Sequence, residues 1–253
     1  PDQKKLPFAL WNARAVQALI KQYFAHEMPI RTVRLYLKRW GFTPQRPLYR
    51  AWQQDEARMA QWRETEYPKI AARAKRENAL IFFADEAGMR SDYHAGTTWS
   101  PKGKTPVVKA TGARFSFNMI SAVNARGHFR FMTVEGAVTA KVFRDFLKRL
   151  ISGVERKVIL IVDGHPTHKA KLVKRFVEDN ADRIELIVLP PYSPELNPDE
   201  LVWAHVKKKV AKATISTKDE MKCAVISAMR SLLKTPTIVA GFFRTPTCLY
   251  ASI

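Results

Sequence analysis

Two unbroken apolar runs, Leu80-Ile81-Phe82-Phe83-Ala84 and Val158-Ile159-Leu160-Ile161-Val162, each stop at an aspartate, Asp85 and Asp163. A short run with no polar alternation reads as a strand covered on both faces, the condition of a central strand in an α/β sheet. Such sheets place ligands beyond the carboxyl ends of their strands. Both carboxylates are therefore expected in one crevice, although they lie too far apart in the chain to form a local pair.

The flanking pattern extends this reading. Residues 115–123 and 128–134 form two strand-like runs joined by Asn124-Ala125-Arg126-Gly127, a hairpin signal. Residues 139–151 carry apolar side chains at helical spacing, as do residues 169–179, and a further strand is expected over 184–189 before Pro190-Pro191 stops it. The order strand, hairpin, helix, strand, helix, strand, helix predicts an α/β fold: a mixed-direction, ribonuclease-H-like sheet flanked by helices, over residues 79–213. Residues 214–253 read as C-terminal accessory helices, the first opened by the capping-box sequence Thr217-Lys218-Asp219-Glu220.

The N-terminal texture is different. Residues 12–26 and 30–40 form two amphipathic helical patterns separated by Met28-Pro29, the second ending at Gly41. The inner sides are expected to be Val16, Leu19, Ile20, Tyr23 and Phe24 on the first and Val33, Tyr36, Leu37 and Trp40 on the second. Arg31, Arg34 and Lys38 share an exposed stripe, with Arg39 beside them. Residues 1–50 therefore read as an all-α, winged-helix-like helix-turn-helix domain that binds DNA through its second helix. A solvated basic face on an ordinary helical hairpin is the bland alternative. Residues 51–78 read as a partly helical linker.

Net charge supports a polyanionic partner. The chain has 43 Lys+Arg against 23 Asp+Glu, a formal charge of +20, which points first to nucleic acid and otherwise to a ribosome or membrane surface. Cys223 and Cys248 have no paired spacing, so neither a disulfide framework nor a zinc ribbon is indicated and a cytoplasmic setting is expected. No apolar run approaches membrane-spanning length, so no membrane association is expected. The chain also lacks a phosphate-cradling glycine loop, so no nucleotide cofactor is expected.

A third acid comes from the stretch Ser193 to Glu200. Asn197 suits a helix N-cap and Pro198 the first helical position, which puts Glu200 on the first turn. Three carboxylates without cysteine or paired histidine favour Mg²⁺ or Mn²⁺ over Zn²⁺. Two such ions can stabilise the attacking and leaving oxygens of a phosphoryl displacement. Taken singly, Asp85 and Asp163 could equally cap turns, and Glu200 could complete a capping box.

At Phe83-Ala84-Asp85-Glu86-Ala87-Gly88, Ile161-Val162-Asp163-Gly164-His165-Pro166-Thr167-His168 and Pro190-Pro191-Tyr192-Ser193-Pro194-Glu195-Leu196-Asn197-Pro198-Asp199-Glu200-Leu201-Val202-Trp203, the chain resembles transposases of the mariner-type superfamily, in their bacterial insertion-sequence branch. The resemblance extends from about Leu6 to the end, with Arg31 to Leu37 and Arg39-Trp40-Gly41 included. It implies that Asp85, Asp163 and Glu200, rather than Asp199 or Glu195, are the catalytic, metal-holding triad. It further implies hydrolysis of phosphodiesters at an element's ends, attack of the freed 3′ hydroxyl on target DNA, commonly at TA, and a homodimer on paired ends. Relatives usually carry Asn after the second aspartate, where this chain has Gly164; a polar group that could orient substrate is missing there. A binding-only repressor descended from a transposase, and a ribonuclease or resolvase on the same fold, are the rival readings.

Several neighbours carry narrower expectations. Glu86 alternates away from Asp85 and reads as structural or a surface partner. His165 and His168 could contact phosphate but do not make a zinc site. Lys207 and Lys208, with Lys209 and Lys212, decorate the helix begun near Glu200, and Lys102 and Lys104 sit at a hairpin tip; all could touch phosphate. Arg90 is equally open to either role, and Trp99 reads as core.

Overall fold

A computed structural model describes residues 6–45, 53–91, 101–104, 115–213 and 215–252; Trp99 lies outside the described residues. The chain divides into two compact units, Pro1–Arg50 and Ala51–Ile253.

In the first unit, α1 (Ala13–Phe24) begins at Asn12, whose side chain accepts from the Ala15 amide. Helix α2 (Ile30–Arg39) ends before Gly41, whose φ of +80° lets the chain turn out of the helix. The two helices bury less than their pattern suggested. Among the described residues of this unit only Ala15 and Val33 are fully buried, while Tyr23, Phe24, Tyr36 and Trp40, expected on the inner faces, are exposed. A pair of short helices shares a single contact stripe, and aromatic side chains at its edges extend past it.

The second unit is built on five strands: β1 (Leu80–Arg90), β2 (Ser116–Val123), β3 (Phe129–Val134), β4 (Val158–Val162) and β5 (Ile184–Val188). They lie in the order β3-β2-β1-β4-β5. β1 runs antiparallel to β2 and parallel to β4, which is parallel to β5, so the sheet is mixed. Strand β1 does not end at Asp85 as its apolar run suggested. Its parallel pairing with β4 stops at Phe83↔Ile161, but antiparallel pairing with β2 continues to Arg90↔Ser116. A second partner keeps the backbone extended after the buried run has ended.

Both faces of the sheet are covered, which explains the unbroken apolar runs. Phe82, Ala84, Leu160 and Val162 point towards α5 (Ala140–Ser152) and α6 (Lys171–Asp179), meeting Phe143, Phe146, Leu147 and Val173. Phe83 and Ile161 point the other way, into a larger core with Trp203 of α7 (Asp199–Val210) and Val225 and Met229 of α8 (Lys218–Leu233). Thr217 and Glu220 form the expected capping box at the start of α8, and α9 (Pro236–Phe242) adds Val239. These C-terminal helices are thus part of one covering layer. The same is true of residues 56–76, where α3 (Glu56–Gln61), a π-helical turn (Trp62–Glu66) and α4 (Tyr67–Arg76) place Met59, Trp62 and Tyr67 in the larger core. Among the described residues, no single helix is long and apolar enough to cross a membrane.

The β2–β3 turn depends on a glycine. Gly127 has φ +87°, and a Cβ there would come within 2.4 Å of the Pro236 carbonyl oxygen of α9. Gly127→Ala combines left-handed strain with a backbone clash and is expected to lower stability by about 2 kcal/mol or more. Denaturant midpoints compare the two proteins; an unchanged midpoint would mean that α9 moves aside freely.

Candidate active site

Asp85, Asp163 and Glu200 line one pocket of the second unit, together with Arg58, Lys169 and Tyr192. Three separate elements deliver the acids. Asp85 stands on β1 at the fork where β4 has ended and β2 continues, and Asp163 is the first residue beyond β4. Glu200 lies in the first turn of α7.

The start of α7 is fastened to the sheet beside Asp85. Asn197 donates from Nδ2 to the Ala84 carbonyl at 3.2 Å and accepts the Asp199 amide at 3.1 Å. The helix begins one residue later than expected, at Asp199, so that Pro198 and not Asn197 stands at the N-cap, and Asn197 ties the approach to the helix to the sheet. Asp199 is fully buried and accepts the Ser121 hydroxyl at 2.8 and 2.7 Å. Ser121 is the residue opposite Asp85 in the β1–β2 register. Finally, the Trp203 indole, one turn along α7, donates to Asp85 Oδ2 at 3.1 Å. Helix, strand and both acids are in this way tied into one frame.

Asp163 is oriented by its own loop. Its Oδ1 accepts the His165 amide at 3.0 Å and lies 3.0 Å from His168 Nδ1, while His168 Nε2 stands 3.3 Å from Glu86 Oε1. The His168 ring packs on Phe143 with centroids 4.4 Å apart. Glu86 does lie on the opposite side of β1 from Asp85, and there it anchors the imidazole that holds Asp163. Burial alone would lower the His168 pKa, but its bonds to Asp163 and Glu86 dominate and raise it to about 9. Asp163 is also pulled at by burial, which favours protonation; the His168 and His165 hydrogen bonds override it and hold the carboxyl below its ordinary range.

Asp85 is the opposite case. Burial first, then the charges of Glu200 and Asp163, push its pKa up to about 8. Burial also raises Glu200, opposed by Lys207, whose charge favours the carboxylate. Asp199 lies well above its ordinary value because it is buried next to Asp85. The wall of the pocket is thus a set of hard oxygen donors whose mutual repulsion a divalent cation would relieve, which is the fit expected for Mg²⁺ or Mn²⁺. Among the described residues, no three His, Cys, Asp or Glu side chains are grouped closely enough to hold a metal ion.

The basic residues singled out for DNA are more scattered. Arg31, Arg34, Lys38 and Arg39 are exposed on α2 of the first unit, and Arg39 lies over the Tyr36 ring at 5.8 Å. Lys102 and Lys104 are exposed in a turn at residues 101–104. On α7, Lys207 is half-buried and influences Glu200, whereas Lys208 is exposed. Within the second unit, Lys102, Lys104, Lys207 and Lys208 do not line the acid pocket; among the described residues the cations that do are Arg58 and Lys169. Neither was singled out from sequence. Arg58 was hidden in a stretch read as a connector, and Lys169 by the assumption that it only began a helix. Gly164 adjoins the second: a Cβ there would lie 3.8 Å from Lys169 Nζ, an ordinary van der Waals contact. Tyr192 escaped notice because nothing in Pro-Pro-Tyr-Ser-Pro announces its backbone, with φ +56°.

A mixed five-stranded sheet covered on both faces, with one acid on β1 where its pairing with β4 has ended, one just beyond β4 and one at a helix start, has the ribonuclease-H-like architecture. The chain belongs to the DDE superfamily endonuclease family, whose model matches residues 80–222. Residues 7–66 match a winged helix-turn helix family. Among solved structures the chain is similar to the crystal structure of the Mos1 strand transfer complex, at 16% identity over 98% of this chain and 80% of that one, with a TM-score of 0.62. It is likewise similar to the Mos1 mariner paired end complex with Mn, at 16% identity, 98% and 81% coverage and a TM-score of 0.61. For the catalytic domain of Mos1 mariner transposase the values are 14%, 81% and 99%, and 0.51. At these identities the likeness establishes the fold. No curated protein matches the sequence.

Proposed function

We propose that this protein is a DNA transposase of the bacterial insertion-sequence branch of the mariner-type superfamily, with Asp85, Asp163 and Glu200 as its catalytic triad. The observation that carries this reading is that three elements distant in sequence bring these carboxylates to one pocket, in a DDE-family chain of net charge +20. A binding-only protein gains nothing from gathering acids where a polyanion must approach. Mg²⁺ or Mn²⁺ held by the three carboxylates would supply charge neutralisation at the attacking and leaving oxygens of an in-line displacement. The chain's own groups hold the frame. His168, fixed by Glu86, keeps Asp163 ionised and oriented, and Trp203 and the Asp199–Ser121 pair keep Asp85 and Glu200 in register.

In this reading residues 1–50 bind terminal inverted repeats, with Arg31, Arg34, Lys38 and Arg39 contacting the duplex. Residues 51–78 connect them to the catalytic region, 79–213, and residues 214–253 complete its helical cover. Lys102, Lys104, Lys207 and Lys208 contact phosphates of the end or target DNA. The reaction is hydrolysis at the element's ends followed by transfer of the 3′ hydroxyl into target DNA, by a homodimer on paired ends associated with the bacterial nucleoid.

The test is cleavage of a labelled duplex carrying the element's end, with Mg²⁺ or Mn²⁺, by wild type and Asp163→Asn. Wild type is expected to nick at the end, and the variant to bind equally and not cut. If both bind and neither cuts, the protein is a DNA-binding descendant of a transposase.

A further inference from the structure

The short helical turn Pro194–Leu196 leads into α7 and so sets where Glu200 stands. The carbonyls of Glu195 and Leu196 find no donor among the amides that follow them. Pro198 has no N–H, the Asp199 amide goes to the Asn197 side chain, and the Glu200 amide goes to the Asn197 carbonyl. A carbonyl left unpaired in the interior is costly, and Leu196 is fully buried. Both partners come instead from the C-terminal segment. Cys248 Sγ donates weakly to the Glu195 carbonyl at 3.6 Å, and the Tyr250 hydroxyl donates to the Leu196 carbonyl at 2.6 Å.

The Tyr250 ring is placed as firmly as its hydroxyl. It meets Tyr67 edge-on, with centroids 4.8 Å apart and the planes at 86°, and Phe83 at 6.4 Å and 82°. Phe83 lies two residues before Asp85 on β1. Beyond Tyr250, the Ala251 carbonyl accepts the Tyr67 hydroxyl at 3.4 Å, and Cys248 and Ala251 are both buried. One side chain thus borders the strand that carries Asp85 and the turn that delivers Glu200.

We propose that Tyr250 is a positioning residue for the acid pocket, its hydroxyl fixing the carbonyl from which the approach to α7 departs and its ring packing on β1 before Asp85. The proposal rests on the reading of Asp85, Asp163 and Glu200 as metal-holding acids. It adds that the C-terminal segment decides how well Glu200 joins the other two. A carboxylate on the first turn of a helix swings with any tilt of that turn, and metal affinity depends on the outer groups that orient each ligand.

Mn²⁺ titration of the full chain without DNA tests this, with free Mn²⁺ followed by its electron paramagnetic resonance signal and the metal-free melting temperature measured alongside. Tyr250→Phe keeps the ring and removes only the hydroxyl. It is expected to weaken Mn²⁺ binding about tenfold, the low end for loss of an outer-shell partner, with only a small fall in melting temperature. Leu150→Ala, in the core on the other face of the sheet, should lower the melting temperature further and leave Mn²⁺ binding unchanged, which separates position from stability. Glu200→Gln is the reference for loss of the acid itself. If Glu200→Gln weakens binding and Tyr250→Phe does not, or if Leu150→Ala weakens it as much as Tyr250→Phe, the positioning role is overturned and the triad reading stands. If wild type takes up no Mn²⁺, or Glu200→Gln binds it as well as wild type does, the triad reading fails and the positioning role with it.

Discussion

Asp85→Asn is expected to abolish DNA cleavage and, in metal-free buffer, to make the protein more stable than wild type. The first effect follows from removing a donor that the displacement needs; losing several kcal/mol of charge stabilisation slows the reaction by about a thousandfold or more. The second follows from the pKa of about 8 that burial, Glu200 and Asp163 impose on Asp85. A carboxyl whose folded pKa lies above its unfolded value of 3.8 binds a proton more readily when folded. Its ionised form therefore destabilises the fold increasingly as pH rises from about 4 to 8.

His168 acts in the same direction. Its folded pKa of about 9 exceeds the ordinary 6.5, so its stabilising contribution is complete below about pH 6.5 and is lost as pH rises through 9. Metal-free wild type should accordingly melt at a higher temperature near pH 6 than near pH 9. Asn at position 85 can still accept from Trp203 and carries no charge, so the variant should gain on the order of a few kcal/mol near pH 8 and show a shallower pH slope, the remainder being that of His168. Mg²⁺ should raise the melting temperature of wild type more at the higher pH and that of the variant little at either. A variant that melts below wild type near pH 8 without metal would show that Asp85 is not held against repulsion.

Trp62→Ala is expected to destabilise the protein by about 3–5 kcal/mol, the usual range for emptying a buried aromatic site. Trp62 is 1% exposed and sits in the larger core with Tyr67, Phe83 and Trp203. Glu64→Ala, two residues on and exposed, should change stability by no more than about 0.5 kcal/mol. Urea unfolding of the two variants separates a packed layer from a spacer. Near-identical midpoints would mean that residues 56–76 contribute nothing to the core.

Much of the fold was legible before any coordinates. The runs at 80–84 and 158–162 read as strands covered twice, and the helical spacings at 139–151 and 169–179 supply the cover on one face. Asn124 to Gly127 marked the hairpin because Gly127 tolerates the left-handed conformation its turn imposes. What the pattern concealed were features whose signal comes from another part of the chain. Strand β1 runs past Asp85 where β2 goes on pairing with it, and there only Ala87 and Met89 are apolar, between Glu86, Gly88 and Arg90. Trp62 and Tyr67 stand in a charged stretch with little apolar spacing, so their burial depends on the sheet face beneath them.

The candidate site divides along the same line. Sequence alone determined that Asp85 and Asp163 follow directly on buried apolar runs and that Glu200 lies on the first turn of a helix opened near the Asn-Pro pair; it also determined the strongly basic balance of the whole. Only the tertiary structure decided that the three carboxylates share a pocket with Arg58, Lys169 and Tyr192, that His168 bridges Asp163 to Glu86, and that Asp199 is buried against Ser121. Local sequence governs backbone conformation through short-range sterics and capping. Proximity between distant side chains, and the pKa values that follow from it, are set by sheet register and helix packing, which no short stretch of residues encodes.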